Sequence, residues 1–199
     1  MAITSEAIRD YLPYYLTEEA KVGIIQELNN FSLGKMQYYL LNRYEREILQ
    51  GDGWTRFHVR NFATGERGFI NAVVLSNTCD VDPSNRRDLP VNIIFAPLVP
   101  VEAYVRRLVG TGLARLSIDD KMAAMRRQEV TNVFYVPAGS GLDAEHIVLL
   151  DDIHSMPARA YEEEKTKTKI FTLSQAGFYL FILKLSMHFC RFHENLARA

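Results

Sequence analysis

The run Gly68 to Leu75, Gly-Phe-Ile-Asn-Ala-Val-Val-Leu, constrains the fold more than any other stretch. It is apolar, rich in β-branched residues and of strand length rather than helix length. It stops abruptly in Ser76-Asn77-Thr78-Cys79-Asp80, a cluster of small polar and reactive side chains. The run therefore reads as a mostly buried, central strand of a sheet or barrel. Its end is a place where a rigid element can present side chains to a ligand.

The preceding segment supplies a partner. Trp54 to Phe62 alternates, with Trp54, Arg56, His58 and Arg60 on one face and Thr55, Phe57, Val59 and Asn61 on the other. Thr64-Gly65 makes the hairpin turn between this strand and Gly68–Leu75. His58 thus stands between two arginines along one strand face.

Further short strands are expected at 91–98, 133–136, 145–151 and 169–173, which gives five or six with hairpin connections. Helices are expected at 3–12, from an N-cap at Thr17 through Leu28, and over Met36–Leu49. Two more are expected at 101–116 and 118–129, weakened by Gly110 and Gly112, with Ser117 and Asp120 as a capping box. The last spans Gln175–Leu196, capped by Ser174. The fold class is α+β with a small antiparallel sheet or barrel. One domain covers 1–199: a helical part at 1–50, the sheet with inserted helices at 51–173, and a C-terminal helix at 174–199.

A chain of 199 residues can bury a core without disulfides or metals. Its net charge of -1 argues against a strongly basic nucleic-acid wrapper and leaves room for a local basic face. The only cysteines are Cys79 and Cys190, without small-scaffold spacing, so a reducing, cytoplasmic location is expected. Glu6, Arg9 and Asp10 stand where a secretory signal would need apolar residues. The apolar run Ala176 to Leu183 is interrupted by Lys184 and is too short to span a bilayer. It reads as a buried or partner-facing helix, with no membrane association.

Cys79 is the sharpest candidate for chemistry. A nucleophilic cysteine needs a neighbouring cation or imidazole, and His58, His146, His154, Arg67, Arg86 and Arg87 are available. Asp80 could orient such a histidine. The plainer reading makes Cys79 a small buried residue and Asp80 a turn cap. Cys79, Asp80, His146 and His154 are metal-ligand types, but no paired ligand spacing occurs. His188, Cys190 and His193 point to different faces of one helix. No metal is expected. No Walker A loop or dinucleotide glycine pattern is present, and no cofactor is expected. Asp151-Asp152 and Glu162-Glu163-Glu164 lie at a strand end and in a charge run, and neither reads as a catalytic pair.

Arg106, Arg107, Arg115, Lys121, Arg126 and Arg127 fall in one helical segment. With Arg56, Arg60, Arg67, Arg86 and Arg87 they could form a groove that binds phosphates in a salt-sensitive way. Read plainly, they are a solvated helix face.

Val73-Val74-Leu75-Ser76-Asn77, a polar loop, and then Ile93-Ile94-Phe95-Ala96-Pro97-Leu98 resemble the toxin-type barrels of the PemK, MazF and ToxN group. The resemblance covers roughly a quarter of the chain and uses common apolar residues. The chain departs from the group's pattern at Val99, where a threonine would follow Pro-Leu. The group's strand-start arginine corresponds to Arg67 only two positions out of register. The resemblance implies an SH3-like barrel with added helices. It also implies metal-independent RNA cleavage, or binding to nucleic acid or to an antitoxin-like partner, as in toxin-antitoxin antiphage defence.

Three functions follow as expectations. In the first, the protein acts on RNA: Arg67 contacts phosphate, His58 or Cys79-Asp80 transfers protons, and Arg56, Arg60, Arg86, Arg87, Arg106 and Arg107 bind the nucleic acid. In the second, it is a non-catalytic interaction module, with its terminal helices buried in a homo-oligomer or a partner complex. In the third, it is a hydrolase using Cys79 as nucleophile.

Overall fold

The computed structural model describes residues 17–19, 21–23, 25–26, 36–85 and 88–189. The helix expected at 3–12, Arg86, Arg87, Cys190 and His193 lie outside the described residues. Eight strands form one antiparallel sheet: β1 Tyr39–Leu40, β2 Gly53–Arg60, β3 Arg67–Val74, β4 Asn92–Pro100, β5 Val133–Val136, β6 His146–Leu149, β7 His154–Pro157 and β8 Lys169–Leu173. The order is β1-β8-β2-β3-β4-β6-β5, and β7 also pairs with β4.

β4 divides one of its edges between two partners. Asn92 to Phe95 pairs with β7, and Leu98 to Pro100 pairs with β6. Pro97, with no N–H to give a ladder, stands at this change of partner. The sheet curls into a half-barrel. The loop after β5 comes back to strands at the other end of the order: Tyr39 Oη donates to Pro137 O, and Gly141 N–H donates to Ile170 O at 3.0 Å. Gly139 is required there. Its φ is +139°, and a Cβ would lie 2.9 Å from the Tyr39 ring.

Among the described residues the helices with assigned bounds are α1 Thr78–Val81, α2 Val101–Gly110, α3 Arg115–Arg126, α4 Ala158–Glu162 and α5 Gln175–Phe189. Residues 18, 19, 21–23, 25 and 26 are also helical, and Thr17 O accepts from Lys21 N–H. Ser174 caps α5, its Oγ accepting from Gly177 N–H at 3.1 Å. No helix among the described residues is long and apolar enough to cross a membrane.

Among the described residues the core has three parts. Helix α5 packs Leu180, Phe181 and Leu183 with Tyr39, Val73, Leu98, Phe134 and Phe171. On the opposite face of β3, Ala72 and Val74 join Trp54, Phe57, Phe95 and Tyr161. Helices α2 and α3 cover Val133 and Ile147 with Leu108, Ile118, Met122 and Met125. Val73 in one cluster and its two neighbours in another show that β3 is buried on both faces at this end.

Several expectations are corrected. Met36–Leu49 is not a helix. Tyr39 and Leu40 pair with Leu173 and Thr172, and Asn42 and Tyr44 each have a φ of +56°, outside the helical region. Only Ala72 to Val74 of β3 is buried, so Arg67 to Phe69 stand exposed. α3 starts at Arg115 without a side-chain cap, and Ser117 lies inside it. Among the described residues the sheet has eight strands, more than the five or six expected. β7 is unanticipated because His-Ser-Met-Pro carries no strand pattern; it is recruited by pairing with β4.

Candidate functional site

The site is built on the outer half of the β2–β3 hairpin. Pairing of β3 with β4 ends at Ala72, and that of β2 with β8 ends at Trp54. Beyond these points β2 and β3 pair with each other, from Phe57 opposite Ile70 to Arg60 opposite Arg67. Asn61 shapes the turn: its Oδ1 accepts from Ala63 N–H at 2.9 Å and Thr64 N–H at 3.3 Å, and Gly65 takes a φ of +74°. Residues 60–69 are all exposed, including Phe62 at 92% and Phe69 at 47%. Between Gly53 and Val74 three arginines, Arg56, Arg60 and Arg67, face one carboxylate, Glu66. The result is a basic ribbon with exposed aromatic rings.

A β-bulge sets which side chains it presents. The register shifts between Trp54 and Phe57, and Arg56 sits in the bulge with a φ of +68°. The sequence alternation places Trp54 with Arg56 and His58. In the structure the extra residue turns Trp54 to the same core as Phe57, and both rings meet Tyr161, with centroids at 6.5 and 4.1 Å. After the bulge the alternation resumes, with Phe57 and Val59 packed inward and His58 and Arg60 outward. The Arg56 guanidinium lies over the Phe69 ring, 3.5 Å from its centroid. His58 sits directly opposite Phe69, edge-on to the same ring at 4.5 Å.

Glu164 completes the group. Its Oε1 accepts from the Thr166 N–H at 2.9 Å and the Thr166 hydroxyl at 2.6 Å. Its other oxygen, Oε2, faces His58 Nε2 at 3.7 Å. The two Thr166 bonds hold the Glu164 carboxyl below its ordinary pKa against the opposing effect of burial, with Arg56 and His58 adding lesser pulls in the same direction. A carboxylate, an imidazole and a guanidinium therefore meet beside an exposed aromatic ring. That set can accept a proton, donate one, and bind or stabilise an oxyanion.

The other expected residues are dispersed. Arg67 and Arg60 lie near the turn of the hairpin. Cys79 and Asp80 lie in α1, beyond the opposite end of β3, where Asn77 Oδ1 accepts from Cys79 N–H at 2.9 Å. The five residue steps from Phe69 to Val74 span about 16 Å of strand at roughly 3.3 Å each. Cys79-Asp80 and His58-Arg67 are thus two places, not one. Cys79 is exposed rather than buried. Arg106 is paired with Glu102 at 2.7 Å, and Arg107 is exposed on α2. Arg126 and Arg127 are paired with Glu145 and Glu129, each at 2.7 Å. Among the described residues, no group of three or more His, Cys, Asp or Glu could hold a metal.

Glu164 and Phe69 are not singled out by the sequence. Glu164 sits in a charge run, and nothing in its spacing ties it to His58. Phe69 reads as a core strand residue until the hairpin is seen to leave the sheet. No family model matches the chain, and no curated protein matches it.

Proposed function

We propose that the protein binds single-stranded RNA on the β2–β3 hairpin and cleaves it without a metal. The carrying observation is that His58, Glu164 and Arg56 meet on a hairpin whose exposed surface is basic and aromatic. Arginines track the phosphates, and Phe62 and Phe69 offer faces on which bases stack, independent of sequence.

The reaction assigned to the group is internal transfer at phosphorus. The Glu164 carboxylate accepts the 2′-hydroxyl proton, and the 2′-oxygen attacks the adjacent phosphorus. The bond from phosphorus to the 5′-oxygen breaks, and protonated His58 gives its proton to that leaving oxygen. The products are a 2′,3′-cyclic phosphate and a 5′-hydroxyl, with Arg56 carrying the charge on the non-bridging oxygens. This is the activity implied by the likeness to PemK-, MazF- and ToxN-type barrels, with which a curled antiparallel sheet is compatible. An antitoxin-like partner would act by covering the hairpin.

The test uses the full chain and a labelled single-stranded RNA in a chelating buffer. Binding that weakens as salt rises, together with products ending in a cyclic phosphate, is the expected outcome. No binding at low salt removes the reading. Binding without cleavage removes its catalytic half.

A second reading rests on Val109, Leu113 and Leu116, which stand 60%, 47% and 73% exposed around the α2–α3 turn. An apolar group of this kind favours a homodimer contact there. A concentration-independent monomer mass by light scattering would overturn it.

A further inference from the structure

A cavity of about 440 Å3 opens between the β1–β2 connection and β8. Its volume is within the range of small-molecule sites, roughly 300–1,000 Å3. Asn42, Arg43, Glu45, Trp54, Lys167 and Lys169 are among its walls. The connection is held away from helix by left-handed backbone at Asn42 and Tyr44.

The three cations of the wall are not equivalent. Lys169 Nζ donates to Asp52 Oδ2 at 2.6 Å, to Thr172 Oγ1 at 3.1 Å and to Tyr44 O, which uses all three of its protons. It is structural, and its charge is matched by the buried Asp52. Lys167 Nζ donates to the Glu162 and Glu164 carbonyls at 2.6 and 3.1 Å, leaving one N–H to offer. Arg43 is exposed, and among the described residues no hydrogen bond or ion pair engages its guanidinium. The Asn42 side-chain amide is likewise unengaged among the described residues. Glu45 is the opposing charge on the wall. With Lys169 and Asp52 cancelling, Arg43 and Lys167 against Glu45 leave the cavity with a net charge of +1.

We propose that this cavity binds a small phosphate ester, with Arg43 and Lys167 on the phosphate and Asn42 donating its amide. Arginine and lysine supply the fork and the point charge that a tetrahedral oxyanion with several acceptors requires. The site needs neither His58 nor the hairpin surface, so it stands or falls separately from RNA cleavage.

Trp54 gives a local readout, because it is the only tryptophan in the chain and lines the cavity. The full chain is titrated with ribose 5-phosphate and, separately, with ribose, following Trp54 emission and heat of binding. The expected result is a saturable response to the phosphate ester, with Kd below about 1 mM, and none to ribose. Arg43→Ala should weaken binding about tenfold, and Glu45→Gln should tighten it severalfold, both with unchanged thermal melts. No saturable response up to about 10 mM, an equal response to ribose, or an unchanged affinity in Arg43→Ala overturns the proposal.

Discussion

The imidazole of His58 and the carboxylate of Glu164 face each other at 3.7 Å, brought together from opposite ends of the sheet-forming region. Thr166 occupies one carboxylate oxygen, so the other is the one turned to the imidazole. Glu164→Gln keeps the size of the side chain and removes its basicity. Single-turnover RNA cleavage should fall about 10²–10⁴-fold, the usual range for removal of a general base, while RNA affinity measured by anisotropy stays near native. Cleavage at the native rate would remove Glu164 from the reaction.

Arg60 and Arg67 are direct cross-strand neighbours. Like charges so placed repel, and among the described residues no ion pair engages either arginine. Their removal should therefore leave the melting temperature unchanged or slightly raised. RNA binding should weaken, and the slope of log affinity against log salt should shrink by about 0.7 for each phosphate of a single strand that is no longer neutralised. An unchanged slope in the double Arg60→Ser, Arg67→Ser variant would place the RNA elsewhere.

Arg56 occupies left-handed backbone in the bulge. That conformation costs a non-glycine residue roughly 1–2 kcal/mol, and the Phe69 contact returns about 0.5–1 kcal/mol. Arg56→Gly should thus be close to neutral or mildly stabilising in chemical denaturation, yet defective in RNA cleavage. A loss of several kcal/mol would mean that the guanidinium holds the hairpin together and is not kept for a ligand.

Buried Asp52 and Lys169 form a pair at 2.6 Å, and Asp52 is only 1% exposed. Burial raises the Asp52 pKa, while Lys169 is the chief influence drawing it back down. Lys169→Met leaves a buried carboxylate without its cation. The expected loss is about 3–5 kcal/mol of stability, part of it recovered at acid pH where Asp52 can take up a proton. The sign follows from the raised pKa. A folded state that holds its proton more tightly than the unfolded chain gains stability as pH falls through the folded pKa. Urea titrations at neutral and acid pH check both the size and the direction.

The strands are legible where local pattern and burial agree. Val133–Val136 and Lys169–Leu173 occur where their apolar runs lie. The α2–α3 break falls at Gly110 to Gly112, as glycine there demands. The site is half legible. His58, Arg56 and Arg60 can be named as an outward group, because alternation resumes after the bulge. The bulge itself carries no sequence mark: Thr-Arg is neither glycine nor proline, so alternation alone puts Trp54 on the wrong face. Glu164 cannot be found at all. Its role depends on the 163–168 segment bonding to Thr55 across the sheet, a tertiary contact that no local spacing encodes. Met36–Leu49 fails for the converse reason: a helical pattern is overridden by strand pairing at Tyr39 and Leu40.

Lys184 sits in the middle of α5, fully buried, and donates to the Gln128 carbonyl. Gln128 is itself buried and bonded to the Tyr38 hydroxyl and to both backbone groups of Tyr135. Burial pushes the Lys184 ammonium from its ordinary 10.5 down to about 8, with Glu129 pulling the other way. Between those two values the unfolded chain holds more protons than the folded one, so this group makes stability rise with pH from about 8 upward. Tyr38 and Tyr135 act oppositely, because burial raises their pKa values and their unfolded forms ionise first. The lysine effect is therefore read between pH 8 and about 9.5, before the tyrosines enter near pH 10. Thermal melts of the native chain should show a rise there worth about 1–2 kcal/mol, since one group changes stability by about 1.4 kcal/mol per pH unit at most. In Lys184→Met that rise should vanish, whatever the change in stability at neutral pH, where relief of the buried charge opposes an unpaired Gln128 carbonyl costing about 1–3 kcal/mol. Parallel profiles for the two proteins would show that folding leaves the Lys184 ammonium as free to keep its proton as it is in the unfolded chain, and would overturn the prediction.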